Sequence, residues 1–307
     1  MKKIIILAGI APIAFASHVN AQTNYSMVIE KTDGSKLTIP TKSVKEVTFI
    51  ENANTGAYQG PQRFFGNSQV KAFGREGRYR YDFTYDEGTG YITKIHYLYI
   101  EDGTSTEGDF IAEYNSGEIT MTVWANGELR GRSTVNLNDN GLLAKEGSDD
   151  DNITFYYDEN DQLVGIISTY KSSESNTYHS QETKHIWQNG DIVQRKDYVP
   201  QGNGETHVYT TDIVYSTPDI PAIENKGFVL EDESLEYDDY LAYYVGLMGR
   251  STKHLPLAWT YTDYDGQVRE TGKNTWTLDD KGRAIKLVSE MTYSSGGKTT
   301  KTYYWEW

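Results

Sequence analysis

The segment 154–166 constrains this chain more than any other, because its pattern returns along most of the length. Phe155 and Tyr157 share one face of a strand, since strand side chains alternate with period two. Asp158, Asn160 and Asp161 then interrupt with residues that accept turn geometry and hydrogen-bond their own backbone. Leu163 and Ile166 open a second strand, so the unit is a β-hairpin. It recurs at 135–145 and 276–287. Shorter versions run from Tyr114 through Gly117 to Ile119, from Trp124 through Gly127 to Leu129, and from Trp187 through Gly190 to Ile192. Each has an aromatic, a two-residue break, Gly, one polar residue and an aliphatic. Asn126-Gly127 and Asn189-Gly190 mark two-residue turns in which both central residues take positive φ. No unit can bury its own apolar face, so the units must pair edge to edge as a repetitive antiparallel meander.

Apolar residues make up only 37% of the chain, yet there are 25 tyrosines. The core must therefore be built largely from Tyr, Trp and β-branched residues, and a buried tyrosine usually needs a partner or a wet cavity for its hydroxyl. Tyr79, Tyr81, Phe83 and Tyr85 alternate with Arg80, Asp82 and Thr84; Ile95, Tyr97 and Tyr99 alternate with His96, Leu98 and Ile100. The pattern breaks at 217–221, around Pro218 and Pro221. Beyond it Leu241, Tyr244, Val245 and Met248 fall on one face of a helix, with an acidic run at 231–239 favouring its start and Gly249 placed to stop it. The β units then resume through Trp259 and Trp276 to Tyr303, Trp305 and Trp307. The predicted fold class is all-β: an antiparallel meander forming a barrel-like or strongly curved sheet of many hairpins, with one inserted α-helix near 234–249.

The first residues read as an export signal. Lys2 and Lys3 precede an apolar run at 4–16, and Ala21 offers a small residue for cleavage. That run is too short to span a bilayer, which takes about 20 apolar residues. No cysteine stands near the cut to carry a lipid anchor. The expected organisation is a signal peptide at 1–21, a small β appendage at 22–52 with a hairpin around Asp33-Gly34, a linker and lead-in at 53–72, and a barrel-like β domain at 73–307. The expected location is the periplasm, the outer-membrane surface or the extracellular space.

Composition excludes several chemistries. Zero cysteines rule out disulfides and thiolate metal sites. A net charge of −15 repels phosphate backbones and argues against a nucleic-acid partner. His96, His179, His185, His207 and His254 show no metal-ligand spacing, and no HExxH motif occurs. Asn136, Asn138, Asn140 and Gly141 imitate half of a calcium loop, but its twelfth position is Gly147 where Glu is needed, so a hairpin turn is the better reading. The acidic runs at 149–151 and 231–233 read as a solvated turn and a helix start. There is no nucleophile elbow and no phosphate loop. The sequence therefore predicts no enzyme, no cofactor and no metal. Tyr303, Trp305 and Trp307 end the chain as outer-membrane barrel strands often end. Strands such as 79–85, however, carry Arg80 and Asp82 on one face and tyrosine hydroxyls on the other, and neither face supplies the apolar band a spanning strand needs.

Around 243–256, the residues Tyr243, Tyr244, Gly246, Leu247, Gly249, Leu255 and Pro256 carry a resemblance. The chain resembles exported Gram-negative proteins grouped as a domain of unknown function with a porin-like fold. In that family Tyr- and Asp-rich hairpins precede a short helix end of Gly-Leu-X-Gly-Lys type and a Leu-Pro; Arg250 stands where that pattern has Lys. The resemblance covers about 73–307. It implies a barrel-like sheet with a helix inside or across one end, a suggested role in lipid binding, and no catalytic residues. The expected function is that of an exported non-enzymatic binding protein for a lipid or other apolar small molecule. Its interior lining is expected from Tyr81, Phe83, Tyr97, Leu241, Tyr244, Met248 and Trp276. The alternatives are a surface glycan-binding or protein-interaction module with a plugged lumen, and, ranked below both, an outer-membrane barrel.

Overall fold

A computed structural model of the chain describes residues 26–30, 36–40, 69–115, 117–148, 151–171, 177–227 and 246–307. The chain divides into two compact units, Met1–Asn52 and Ala53–Trp307. In the first, β1 (Ser26–Glu30) pairs antiparallel with β2 (Lys36–Pro40), placing Ile29 opposite Leu37. The expected signal segment and the Asp33-Gly34 turn lie outside the described residues.

The second unit is a closed antiparallel barrel of sixteen strands. Its first half comprises β3 (Ala72–Arg75), β4 (Tyr79–Tyr85), β5 (Ile92–Glu101), β6 (Thr104–Asn115), β7 (Glu118–Ala125), β8 (Glu128–Leu137), β9 (Leu143–Gly147) and β10 (Asp151–Tyr157). It continues with β11 (Leu163–Lys171), β12 (Tyr178–Gln188), β13 (Asp191–Pro200) and β14 (Thr206–Val214). An excursion then carries the short pair β15 (Ile223–Glu224) and β16 (His254–Leu255). The wall resumes with β17 (Ala258–Thr262), β18 (Val268–Leu278), β19 (Ala284–Tyr293) and β20 (Lys298–Glu306). Each strand pairs with the next in sequence, β14 pairs with β17 across the excursion, and β20 closes on β3 with Trp305 opposite Phe73. Closure removes the exposed edges a long sheet would otherwise present.

Alternation decides which face is which. Phe73, Tyr81, Ile95, Leu287, Tyr303 and Trp305 turn inward and are at most 2% exposed. The neighbouring positions turn outward and carry charge, joined across strands by Arg80 to Glu306 at 2.8 Å, Arg132 to Glu113 at 2.8 Å and Lys94 to Asp109 at 2.9 Å. Outward apolar residues such as Ile111, Ile186 and Tyr304 are scattered among them. Along these strands the barrel is thus apolar inside and charged outside. The inward residues form one continuous core.

The repeated hairpin is a repeated turn. Asn138, Asp158 and Asp279 each accept, through one side-chain oxygen, the N–H groups two and four residues on. Asp263 does the same in the β17–β18 turn. The third residue on takes the left-handed conformation, with φ 74° at Gly141, 60° at Asp161, 75° at Gly266 and 80° at Gly282. The two-residue turns also form as expected, with φ 51° and 77° at Asn126 and Gly127, and 55° and 91° at Asn189 and Gly190.

The aromatic of each unit has a structural use. The strands arriving at the end that bears the excursion carry an aromatic side chain within two residues of their last position, with β8, which ends on Leu137, as the exception. Each aromatic buries its ring and donates its polar tip to a backbone carbonyl. Tyr85 donates to Val70, Tyr114 to Ile92, Trp187 to Leu163, Tyr215 to Ile192 and Trp307 to Ala284. Tyr157 and Trp276 donate to Leu247 and Pro256 of the excursion, at 3.2 and 2.8 Å. This end is therefore capped. The excursion is fixed further by Leu143 N–H to the Leu247 carbonyl at 2.8 Å, Arg250 N–H to Asp161 at 2.9 Å and Lys253 N–H to Gly190 at 2.8 Å. Asp191 holds both the N–H and Nδ1 of His254, at 2.8 and 2.7 Å.

The expected helix near 234–249 corresponds in part to this cap. Residues 234–245 lie outside the described residues. Residues 246–249 form a turn and not a last helical turn, because Gly246 and Gly249 both take φ 83°. Leu247 and Met248, at 0% and 2% exposure, are core residues delivered by that turn.

Candidate functional site

The opposite end of the barrel is open, and it holds a cavity of about 510 Å³. Register builds its wall in rows. Arg195, Thr211, Tyr261, Glu270 and Tyr293 stand opposite one another across β13, β14, β17, β18 and β19. One row nearer the cap, Ile213, Trp259, Gly272 and Met291 form the floor. Asp197 and Tyr209 pair one row nearer the mouth. All the inward positions are set by the period-two alternation of the strands.

The floor depends on a glycine. A Cβ on Gly272 would overlap the indole of Trp259, so the ring lies directly against the bare backbone of β18. Trp259 is 5% exposed, and its Nε1 donor finds no acceptor among the described residues. Tyr209 and Tyr261 stack with centroids 6.2 Å apart and planes 5° apart, making a flat aromatic side wall.

Charge is concentrated on one side of the cavity. Arg195 bonds Asp197 through Nε at 3.1 Å and Nη2 at 3.0 Å, and Thr183 donates to the same carboxylate oxygen at 2.6 Å. Both charged side chains are mostly buried, so their attraction is little screened. His185 stands opposite Arg195 in the register and is fully enclosed. Burial, with a smaller contribution from the Arg195 cation, holds its pKa down to about 3, so it is neutral at ordinary pH. Glu270 adds a second carboxylate to the lining. The cavity thus offers aromatic surface, one buried cation and two carboxylates. Such a set fits a guest with an apolar body and a polar group. Among the described residues no group of three or more His, Asp or Glu is arranged to hold a metal ion.

The residues singled out from the sequence lie elsewhere. Tyr81, Phe83, Tyr97 and Met248 are buried in the continuous core, and Trp276 packs against it. Tyr81 stacks on Phe73, Tyr97 packs on Phe110 at 4.9 Å, and Trp276 packs on Trp305 at 5.8 Å. None of these five lines the cavity. Leu241 and Tyr244 lie outside the described residues. Arg195, Thr211 and Glu270 were missed because aromatic alternation, the guide used on the sequence, weakens on the strands that carry them. Charged residues at inward positions of otherwise apolar-facing strands are the signal that marks them.

The fold recurs in a solved structure. A porin-like protein from Bacteroides uniformis superimposes with a TM-score of 0.56 at 16% identity, covering 78% of this chain and 96% of that one. A porin-like protein from Bacteroides vulgatus aligns at 15% identity, with a TM-score of 0.46 and coverage of 78% and 98%. The search of curated proteins returns no match. The family model for a domain of unknown function with porin-like fold (DUF4595) matches residues 83–286, and the chain belongs to that family.

Proposed function

We propose that this protein is an exported, non-enzymatic binding protein that holds one small amphipathic molecule, such as a lipid, in the open end of its barrel. The observation that carries the reading is the tyrosine-walled cavity of about 510 Å³ above the Trp259 floor, within the size range of small-molecule sites. The polar group of the guest would meet Arg195, and its apolar body the Tyr209–Tyr261 wall. Export is supported by the basic and apolar start of the sequence. A position outside the bilayer is supported by the charged outer face, since a spanning barrel needs an outward apolar band on every strand.

The test is native mass spectrometry of protein purified from its own compartment without detergent, followed by titration with palmitate. Added mass that is lost on denaturation, and palmitate binding that Val199→Trp weakens at the cavity mouth, are the expected results. A bare mass together with no palmitate binding would remove the reading and favour a protein-interaction role for the outer surface.

A further inference from the structure

We infer that the capped end carries a second, separate site, for an acidic sugar. A basin of about 1130 Å³ lies there, between the excursion and the turns that support it. Five cations from three segments line it: Lys226 beside β15, Arg250 and Lys253 before β16, and Lys281 and Arg283 in the β18–β19 turn. Among the described residues Glu224 is the one carboxylate in the lining, 3.8 Å from Lys226. On a chain with a net charge of −15, this concentration of positive charge needs a cause.

The fold holds the cations in place. Arg283 is fixed by Asp279 at 2.7 Å and lies over the Trp307 ring at 5.2 Å. Arg250 donates from Nε to the Asn160 carbonyl at 3.3 Å. The Lys226 stem lies against Gly282, where an added Cβ would come within 3.2 Å of it, and the Lys253 stem lies against Gly190 in the same way at 3.3 Å. Among the described residues no ion pair uses Lys253 or Lys281. These two ammonium groups are therefore available to an incoming anion.

The rest of the lining decides the class of anion. Gln162, Asn189, Asn225, Ser251 and Thr252 supply amides and hydroxyls, and Trp187 supplies an aromatic edge. Asn225 is 6% exposed and pinned by bonds from its Nδ2 to Ser251 Oγ and the Thr252 carbonyl, both 3.0 Å; among the described residues its Oδ1 receives no donor. A simple inorganic anion would use the cations and leave the amides and hydroxyls idle. A sugar bearing carboxylates engages both: its acid groups meet Lys253 and Lys281, and its hydroxyls exchange hydrogen bonds with the amide side chains.

Isothermal titration of the full-length protein with trigalacturonate, neutral galactotriose and sulfate tests this. Trigalacturonate should bind at least tenfold more tightly than either control, with affinity falling as salt rises. The double variant K253Q/K281Q should weaken it by about tenfold, as loss of two exposed ion pairs does, without lowering the melting temperature. Val199→Trp, at the other end of the barrel, should leave it unchanged, so this site and the lumen site stand or fall separately. Equal binding of sulfate, equal binding of the neutral sugar, or an unaffected double variant would overturn the inference.

Discussion

The two ends of the barrel solve different problems with the same strands. At the capped end every arriving strand but β8 carries a Tyr or Trp within two residues of its last position, and seven such side chains each donate to a backbone carbonyl. At the open end the arriving strands β17 and β19 instead bring Tyr261 and Tyr293 to the wall of the cavity. The contrast separates what fixes the fold from what can host a guest. A tyrosine or tryptophan that buries its ring and satisfies its polar tip locks two strands together. A barrel secured this way at one end can leave the other end partly unfilled.

The sharpest way to break that comparison is to cut one large side chain at each end. Leu247 is fully buried in the cap, and Leu247→Ala should cost roughly 2–5 kcal/mol, as deletion of buried leucine generally does. Val268 begins β18 at the open end and is 51% exposed, so Val268→Ala should stay within about 0.5 kcal/mol. Urea unfolding of the two variants measures both. Equal losses would mean that the ends are equally packed.

His185 probes where the dry core stops. It is neutral when folded down to about pH 3, whereas in the unfolded chain it takes a proton near its ordinary value of 6.5. Between those values the unfolded state binds more protons, so stability is present above pH 6.5 and is lost as pH falls through that window. Asp109, Asp263 and Asp279 also have lowered pKa values, but their contribution is lost only below the ordinary carboxylate value of 3.8. The fall between pH 6.5 and about 4.5, on the order of 2–3 kcal/mol, should therefore belong mainly to His185. Urea midpoints across this range should flatten in His185→Gln. A slope that survives the substitution would show that water reaches the ring.

A smaller effect tests the cap's attachment. Asp191 is 6% exposed and spends both oxygens on His254, so His254 Nδ1 must carry the proton it donates. Asp191→Ala strands a buried N–H and should cost about 1–3 kcal/mol. Hydrogen exchange should speed up at Lys253 and His254 while the amides of β5 and β6 stay protected. Uniform acceleration across the barrel would mean that the cap and the wall open as one unit.

Much of this design is written in short-range sequence. The turn at Asp158 is specified by its own side chain, which is why the same spacing at Asn138 and Asp279 builds the same turn. The aromatic of each unit is equally visible, but its acceptor is not: Tyr114 bonds Ile92, and Trp187 bonds Leu163, more than twenty residues back. Such partners are fixed only when the strands take their register. The cavity was hidden for a related reason. Alternation tells which side chains turn inward at Tyr81 or Tyr97, but not whether other side chains fill the space in front of them. Those two positions are packed solid by Phe73 and Phe110, whereas space remains before Tyr261, whose own strand carries a bulge at Tyr261/Thr262. The fit of Trp259 onto Gly272 joins residues on different strands, and a glycine in a strand names no partner in sequence.

The two Asn-Gly turns give the finest version of the comparison, because they share a sequence and differ in surroundings. Gly127 turns at the open end with φ 77°, and an added Cβ would meet nothing within 4 Å. Gly127→Val should therefore cost only the backbone strain of a β-branched residue in the left-handed region, about 1 kcal/mol. Gly190 turns at the capped end with φ 91°, its carbonyl holds the Lys253 N–H at 2.8 Å, and an added Cβ would press on the Lys253 stem at 3.3 Å. Gly190→Val should cost that same strain plus part of the attachment it disturbs, about 2 kcal/mol in all. Thermal melting of the pair reads the difference directly. If the two losses match, the turn at Gly190 yields without moving Lys253, and the cap must be held by Asp191 and Leu247 without it.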